Sequence, residues 1–356
     1  MTPEDRLLSL AALHNAASNH ANELQDLIRG AINWDTIHQK AAKHRIGCQV
    51  FQTLSIVAFD RVPELYRRHW QETAERSVRH NLTLVGELIR VIDLLDRHGI
   101  LCLSFKGPVL AALLHGTVAL RPFADLDLIV ATPEEARIAK ELIVAEGYRV
   151  HESLTPRQEQ LLLQTHCEYH LLHPEKQIYI DLHWNVFYDY FSYSFDLPRA
   201  FRESITVPVA HRALRSFRPE DLLLLLSAHH ARHAWETMLM IVDIADLLQT
   251  HPDLDWQYIE NQAERVGGRR LLHLALFLAE RVCTSHLPSY ISSQARSDIT
   301  VRRLAQLVQC RWFSSESGTA GMLDELLFHL RCRERLFHQL RFLLRGLFTP
   351  GPHDFA

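Results

Sequence analysis

The sequence predicts an α+β protein: a mixed sheet with flanking helices, set in the chain between an N-terminal helical region and a C-terminal helical domain. Three observations predict it. Apolar positions recur at helical spacing through residues 4–99 and again beyond residue 216. Residues 101–131 read as strand, glycine turn, helix and strand, and residues 168–184 alternate as two strands about a short turn. The boundaries that follow are 1–99 for the N-terminal helical region, 100–215 for the core, 216–348 for the C-terminal helical domain and 349–356 for a tail.

In the first region, Thr2-Pro3-Glu4-Asp5 is a helix start with acids in the first turn, followed by Leu7, Leu8, Leu10, Ala11 and Leu13 at helical spacing. Asn33 caps a second helix. Pro63, at a first helical position, opens a long helix through Arg97 that Gly99 ends.

The core then begins with an apolar strand at 101–105. Gly107 breaks it, and Pro108 stands where a helix accepts proline, because the first N–H groups have no intrahelical partner. A helix over 108–115 follows, and a strand over 125–131. In that strand Asp125 and Asp127 are two residues apart and so project from one face, while Leu126 and Leu128 face a core. Taken alone, such an alternation also describes the solvent face of an edge strand. Two like charges held this close repel, and the ordinary compensation is a cation, for which hard divalent metals are the natural choice. The preceding glycine turn strengthens the functional alternative, since a turn that opens a helix presents N–H groups to phosphate.

Thr132-Pro133-Glu134-Glu135 starts a helix over 133–146, ended by Gly147, and a strand over 148–152 follows. After a helix near 157–164, the segments 168–173 and 177–184 form a hairpin around Pro174-Glu175-Lys176. Its second strand places Ile178, Ile180 and Leu182 on one face, and Tyr179, Asp181 and His183 on the other. Asp181 is thereby a third carboxylate able to join the first two, while Trp184 points into the core. The aromatic residues Tyr188, Tyr190, Phe191 and Tyr193 suit either an acceptor-stacking wall or, more simply, a packing cluster.

Pro219-Glu220-Asp221 opens a helix carrying His229, Arg232 and His233. The two histidines are four apart, a spacing used by zinc sites, yet no third ligand follows from spacing, and hydrogen bonding on a helix face is the simpler role. Gly267-Gly268 separates two more helices. Arg331, Arg333, Arg335, Arg341 and Arg345 beside Leu330, Leu336, Leu340 and Leu344 read as the solvated face of an amphipathic helix, with an acidic partner or a membrane surface as the alternative.

Composition bounds the answer. With 356 residues, 47% hydrophobic and 22% charged, the chain is globular and large enough for two or three packed units. A formal net charge of −4 excludes the basic field with which proteins grip duplex DNA. No apolar run approaches the roughly 20 residues of a spanning helix. The six scattered cysteines lack a C-x-x-C pair and read as thiols of a reducing cytoplasm, so a cytoplasmic location is expected.

Lys106-Gly107, Arg121, Asp125-x-Asp127 and Asp181-x-His183-Trp184 together resemble the signature of the bacterial nucleotidyltransferase-fold family related to the polymerase β superfamily. His229-x-x-Arg232-His233-x-Trp235 and the later Asp243 are similar to a further segment of that family, and the resemblance covers roughly residues 80–250. Two departures stand out. Pro108 replaces the serine or second glycine of the phosphate turn, and Arg232 replaces a lysine.

The resemblance implies a polymerase β-like core that moves a nucleoside monophosphate from a nucleoside triphosphate to a hydroxyl acceptor, with pyrophosphate released. Asp125, Asp127 and Asp181 would be its catalytic, metal-holding acids, with magnesium, or manganese in its place, as cofactor. Lys106, Gly107, Arg121 and Arg232 would meet the nucleotide, and His183, His229 and His233 would support the site or the substrate. The acceptor class stays open among small molecule, peptide, protein and RNA, as do base preference and oligomeric state. A catalytically silent nucleotide-binding scaffold and a toxin-type transferase acting on RNA or protein are the alternatives.

Overall fold

The structure, a computed structural model, describes residues 1–151, 154–187, 195–314 and 321–348. The aromatic run at 188–193 and the tail at 349–356 lie outside the described residues. The fold is α+β, with one mixed five-stranded sheet, a separate two-stranded hairpin and many helices. Chain contacts divide it into two units, one of residues 1–79, 119–122 and 223–334, the other of residues 80–118, 123–222 and the stretch from Arg335.

The second unit holds the sheet. Its strands are β1 (Cys102–Ser104), β2 (Asp125–Val130), β3 (Arg149–Val150), β4 (Glu168–His173) and β5 (Ile178–His183), in the spatial order β1-β2-β5-β4-β3. Every neighbouring pair is antiparallel except β2 and β5. Parallel strands need a long crossover, and the chain supplies one through the helices Pro133–Ala145 and Pro156–Thr165 and the strands β3 and β4.

One face of the sheet is apolar. Leu126, Leu128 and Val130 of β2, Tyr169 and Leu171 of β4, and Ile178, Ile180 and Leu182 of β5 share a core with Leu84, Leu88, Val91 and Leu95 of the long helix Glu64–Arg97 and with Ala136, Ala139 and Ile143. Trp184 joins the same core and lies 4.9 Å edge-on to Tyr169. Burying each such aliphatic side chain is worth roughly 1.5–3 kcal/mol. A one-residue slip of β5 would expose three of them and drive Asp181 inward. The register that sets the opposite, polar face is thus fixed by the apolar one.

Element ends follow the expected chemistry. Thr2 and Thr132 each close a capping box, with Asp5 and Glu135 respectively, and Asn33 caps the helix Trp34–Lys43. Gly99 and Gly147 hold the left-handed backbone that ends their helices. Of the strand expected over 148–152, Arg149–Val150 pairs with β4 and residue 152 lies outside the described residues.

The hairpin β6 (Ile205–Val209) and β7 (Arg212–Ser216) is an addition that the sequence reading did not assign. Pro208 sits inside β6 opposite Ala213, and Ala210 takes the left-handed turn backbone usually given to glycine or asparagine, so the usual hairpin signals are missing. The basic stripe is also reordered. The chain leaves the helix at Arg333 between Met322–Cys332 and Leu336–Phe348, and Arg333 is buried, donating to the His329 carbonyl. All six cysteines are free thiols, five buried and Cys310 exposed.

In the first unit the helix Arg269–Cys283 is buried along most of its length and touches Met238–Thr250, Ser289–Ser297 and Ile299–Phe313. A buried fork joins the 119–122 segment to this unit: Arg121 donates through Nε and Nη2 to the two carboxylate oxygens of Asp243, at 2.7 and 2.8 Å.

Glu87 ties the long helix to the tip of the β4–β5 hairpin. Its carboxylate accepts from Tyr148 Oη at 2.7 Å, from Lys176 Nζ at 3.0 Å and from Arg90 Nη2 at 2.7 Å. Burial opposes the charged form, but the donors Arg90, Tyr148 and Lys176 outweigh it and bring the Glu87 carboxyl down to about 2. A carboxyl lowered on folding stabilises fully above its unfolded value, near 4.5, and loses that stabilisation as pH falls toward 2. Acid unfolding followed by circular dichroism is therefore expected to show Glu87→Gln missing a contribution on the order of 3 kcal/mol that the parent loses across this window. Parallel pH profiles for the two proteins would contradict the clamp.

Candidate functional site

The polar face of the sheet is assembled by strand register. Asp127 of β2 stands directly opposite Asp181 of the parallel strand β5. His183 is two residues further along β5 and so shares the face of Asp181. On the next strand, His170 is paired with Asp181 and Glu168 with His183. Five polar side chains from three strands thus line one surface.

The contacts among them are short. His183 Nε2 lies 3.4 Å from Asp127 Oδ1, and His183 Nδ1 lies 3.0 Å from Glu168 Oε2, within ion-pair range though misaligned for a hydrogen bond. His170 Nδ1 is 2.8 Å from Asp181 Oδ1. Asp127, Glu168 and His183 are buried, whereas Asp181 is half-buried. Phe105 makes an edge-on contact with the His183 ring, 5.4 Å between centroids.

Lys106 completes the arrangement. It stands at the N-cap of the helix Gly107–His115, and its ammonium forms an ion pair with Asp127. Burial would raise the Asp127 carboxyl, but Lys106, and after it His183, hold it well below the usual carboxylate range. In the same way burial disfavours the Lys106 ammonium, and Asp127 more than reverses this, so its value is raised. Breaking one side of such a buried pair is strongly destabilising, because the other charge is left without compensation.

Gly107 is required by geometry. Its φ is +51°, and a Cβ there would meet the Asp125 carbonyl oxygen at 3.2 Å. The turn thus brings the start of the helix against the start of β2, putting Lys106 beside the acids. Pro108 follows inside the first turn of the helix, where its missing N–H costs nothing.

Among the described residues, two sets of three ligating side chains have donor atoms within 4.8 Å of one another: Asp127, Asp181 and His183, and Cys167, Glu168 and His183. The first fits a divalent cation, with two carboxylates and an imidazole converging from neighbouring strands. Asp125 lies on the Asp127 face of β2, half-buried, but belongs to neither set.

The other residues singled out in the sequence belong to the first unit. Arg121 forms the fork with Asp243 described above. His229 and His233 have ring centroids 4.7 Å apart, and Arg232 Nη2 lies 3.3 Å from His233 Nε2. Neither histidine belongs to a set of three ligands among the described residues. After Arg232 the chain turns through left-handed Ala234 and Trp235, and buried Trp235 accepts at its carbonyl from Trp312 Nε1 at 2.6 Å.

Glu168 and His170 are the residues that the sequence reading passed over. Their signal was available in the alternation of Glu168, His170 and Leu172 against Tyr169, Leu171 and His173, which matches that of the following strand. What was missing was the register that sets them opposite His183 and Asp181.

Known proteins bear on this geometry. The pattern of a family described as uncharacterised nucleotidyltransferase matches residues 30–284. Curated proteins gave no match. Among solved structures, an antigenic nucleotidyltransferase-like protein from Paracoccidioides brasiliensis is 14% identical, with 60% of this chain and 97% of that one covered and a TM-score of 0.32. That likeness is too slight to argue from. The family match spans most of the chain and takes in both the sheet with its acids and the His229 to Asp243 segment, and so the protein belongs to the family of uncharacterised nucleotidyltransferases.

Proposed function

We propose that the protein transfers a nucleoside monophosphate from a nucleoside triphosphate to a hydroxyl acceptor, using a divalent cation, magnesium or manganese, at the acids Asp125, Asp127 and Asp181. The observation that carries this reading is the pairing of Asp127 with Asp181 across β2 and β5, beside the Lys106-Gly107 turn. In the reaction the acceptor oxygen bonds to the α-phosphorus, the bond to the β-phosphate bridge breaks, and pyrophosphate leaves. A cation held by these carboxylates supplies neutralisation of the phosphate charge.

This chain's own groups do the rest. Lys106, beside Asp127 at the helix start, would meet the β- and γ-phosphates, and the amides at the Gly107 turn would meet the same oxygens. Asp181, held at Oδ1 by His170, receives the acceptor proton. His183 stands beside Asp127 at 3.4 Å, and His233 lies against Arg232 in the first unit. Arg121 is given to its fork with Asp243. No described helix is long and apolar enough to cross a membrane, and we assign the protein to the cytoplasm.

The test is transfer of label from α-labelled nucleoside triphosphates into an acceptor pool, with pyrophosphate counted in parallel. Asp127→Asn should abolish both, with a loss of stability read in parallel by circular dichroism because Lys106 loses its buried partner, and parent-like turnover in that variant would exclude the acid from the chemistry. Lys106→Gln should raise KM for the triphosphate by about 10- to 100-fold, the worth of a hydrogen bond to a charged group. An unchanged KM would take Lys106 out of the phosphate contact.

A further inference from the structure

The two nitrogens of His183 face two different carboxylates. Nε2 is turned to Asp127 at 3.4 Å, and the ligand atoms of Asp127, Asp181 and His183 all lie within 4.8 Å of one another. Nδ1 is turned to Glu168 at 3.0 Å, and Glu168 is itself buried, opposite His183 in the β4–β5 ladder. A ligating histidine ordinarily donates its second ring N–H to such a carboxylate, which fixes tautomer and ring orientation, and Glu168 stands within ion-pair distance to take that role after a small realignment. A cation bound at about 2.1 Å to three ligands needs them roughly 3–4 Å from one another, and the His183–Asp127 pair already stands in that range. Asp125, on the same strand face, stands outside this set.

We propose that His183 is a metal ligand, held by Glu168, and that a mixed centre of Asp127, Asp181 and His183 binds manganese more tightly than magnesium. The inference rests on the nucleotidyltransferase reading and names the ion that its site takes. Imidazole is a poor ligand for magnesium, which prefers oxygen and keeps its water, whereas manganese accepts nitrogen and oxygen together. Glu168 acts through His183 as a positioning residue. The neighbouring Cys167, Glu168 and His183 set is the competing location, and it needs the other ring nitrogen, so one ion uses one side of His183.

The experiment is a titration of the full chain with manganese alone, followed by electron paramagnetic resonance, with magnesium as competitor and electron spin echo detection of directly bound nitrogen. The parent should bind manganese about tenfold or more tightly than magnesium and show nitrogen coupling. His183→Gln should lose the coupling and the preference together. Glu168→Gln should keep the coupling while binding manganese about 10- to 100-fold more weakly, an effect on affinity with the ligand retained.

Manganese bound to the parent without nitrogen coupling would overturn the inference and leave an all-oxygen centre for the same enzyme. Coupling that persists in His183→Gln, or that is lost in Cys167→Ser and kept in Asp127→Asn, would overturn it in favour of another ligand or the cysteine side. If neither ion binds the parent, with or without a nucleoside triphosphate, the metal-dependent reading fails along with it.

Discussion

Burying the Asp127 carboxylate sets the terms for everything around it. A lone carboxylate in an apolar interior would take up a proton rather than bear the cost of desolvation. Asp127 is buried yet held far toward its charged form, because the Lys106 ammonium and the His183 ring stand beside it. Neither partner is there by chance. Lys106 is delivered by a left-handed turn, tight against β2, in which any side chain would be strained, and His183 by a strand whose apolar face admits one register.

The same constraint connects stability to chemistry. A pair of acids on adjacent strands repels, so the fold keeps positive charge within reach of them. The sheet supports this arrangement mechanically, since the core on its other face runs from the long helix to Trp184. The Glu87 clamp then fixes that helix to the hairpin carrying Asp181. Family membership and this electrostatic design point the same way, toward transfer of a nucleotidyl group.

Much of this was legible in the sequence. Local signals gave the strands and helices between Cys102 and His183 to within a residue or two, because proline, glycine and capping residues stand where helices begin and end, whereas the helix Leu197–Arg202 went unassigned. Alternation alone put Asp127 on one face of β2, and Asp181 and His183 on one face of β5. Strand pairing is non-local, and no residue near Asp127 announces Asp181 as its partner. For the same reason Glu168 and His170 went unnoticed, although their own alternation was plain. Arg121 shows the limit most clearly. Its carboxylate partner Asp243 lies 122 residues away, beyond the reach of any local pattern. The β6–β7 hairpin was hidden differently, by a proline within a strand and an alanine in a left-handed turn.

The most direct measurement is calorimetric binding of a non-hydrolysable nucleoside triphosphate, with and without a divalent cation, to the parent and to Asp181→Asn. The account predicts binding that requires the cation and is lost in the variant, whose side chain keeps its shape without its charge. Binding that survives removal of the cation, or that is equal in the two proteins, would contradict a site built on the pairing of Asp127 with Asp181.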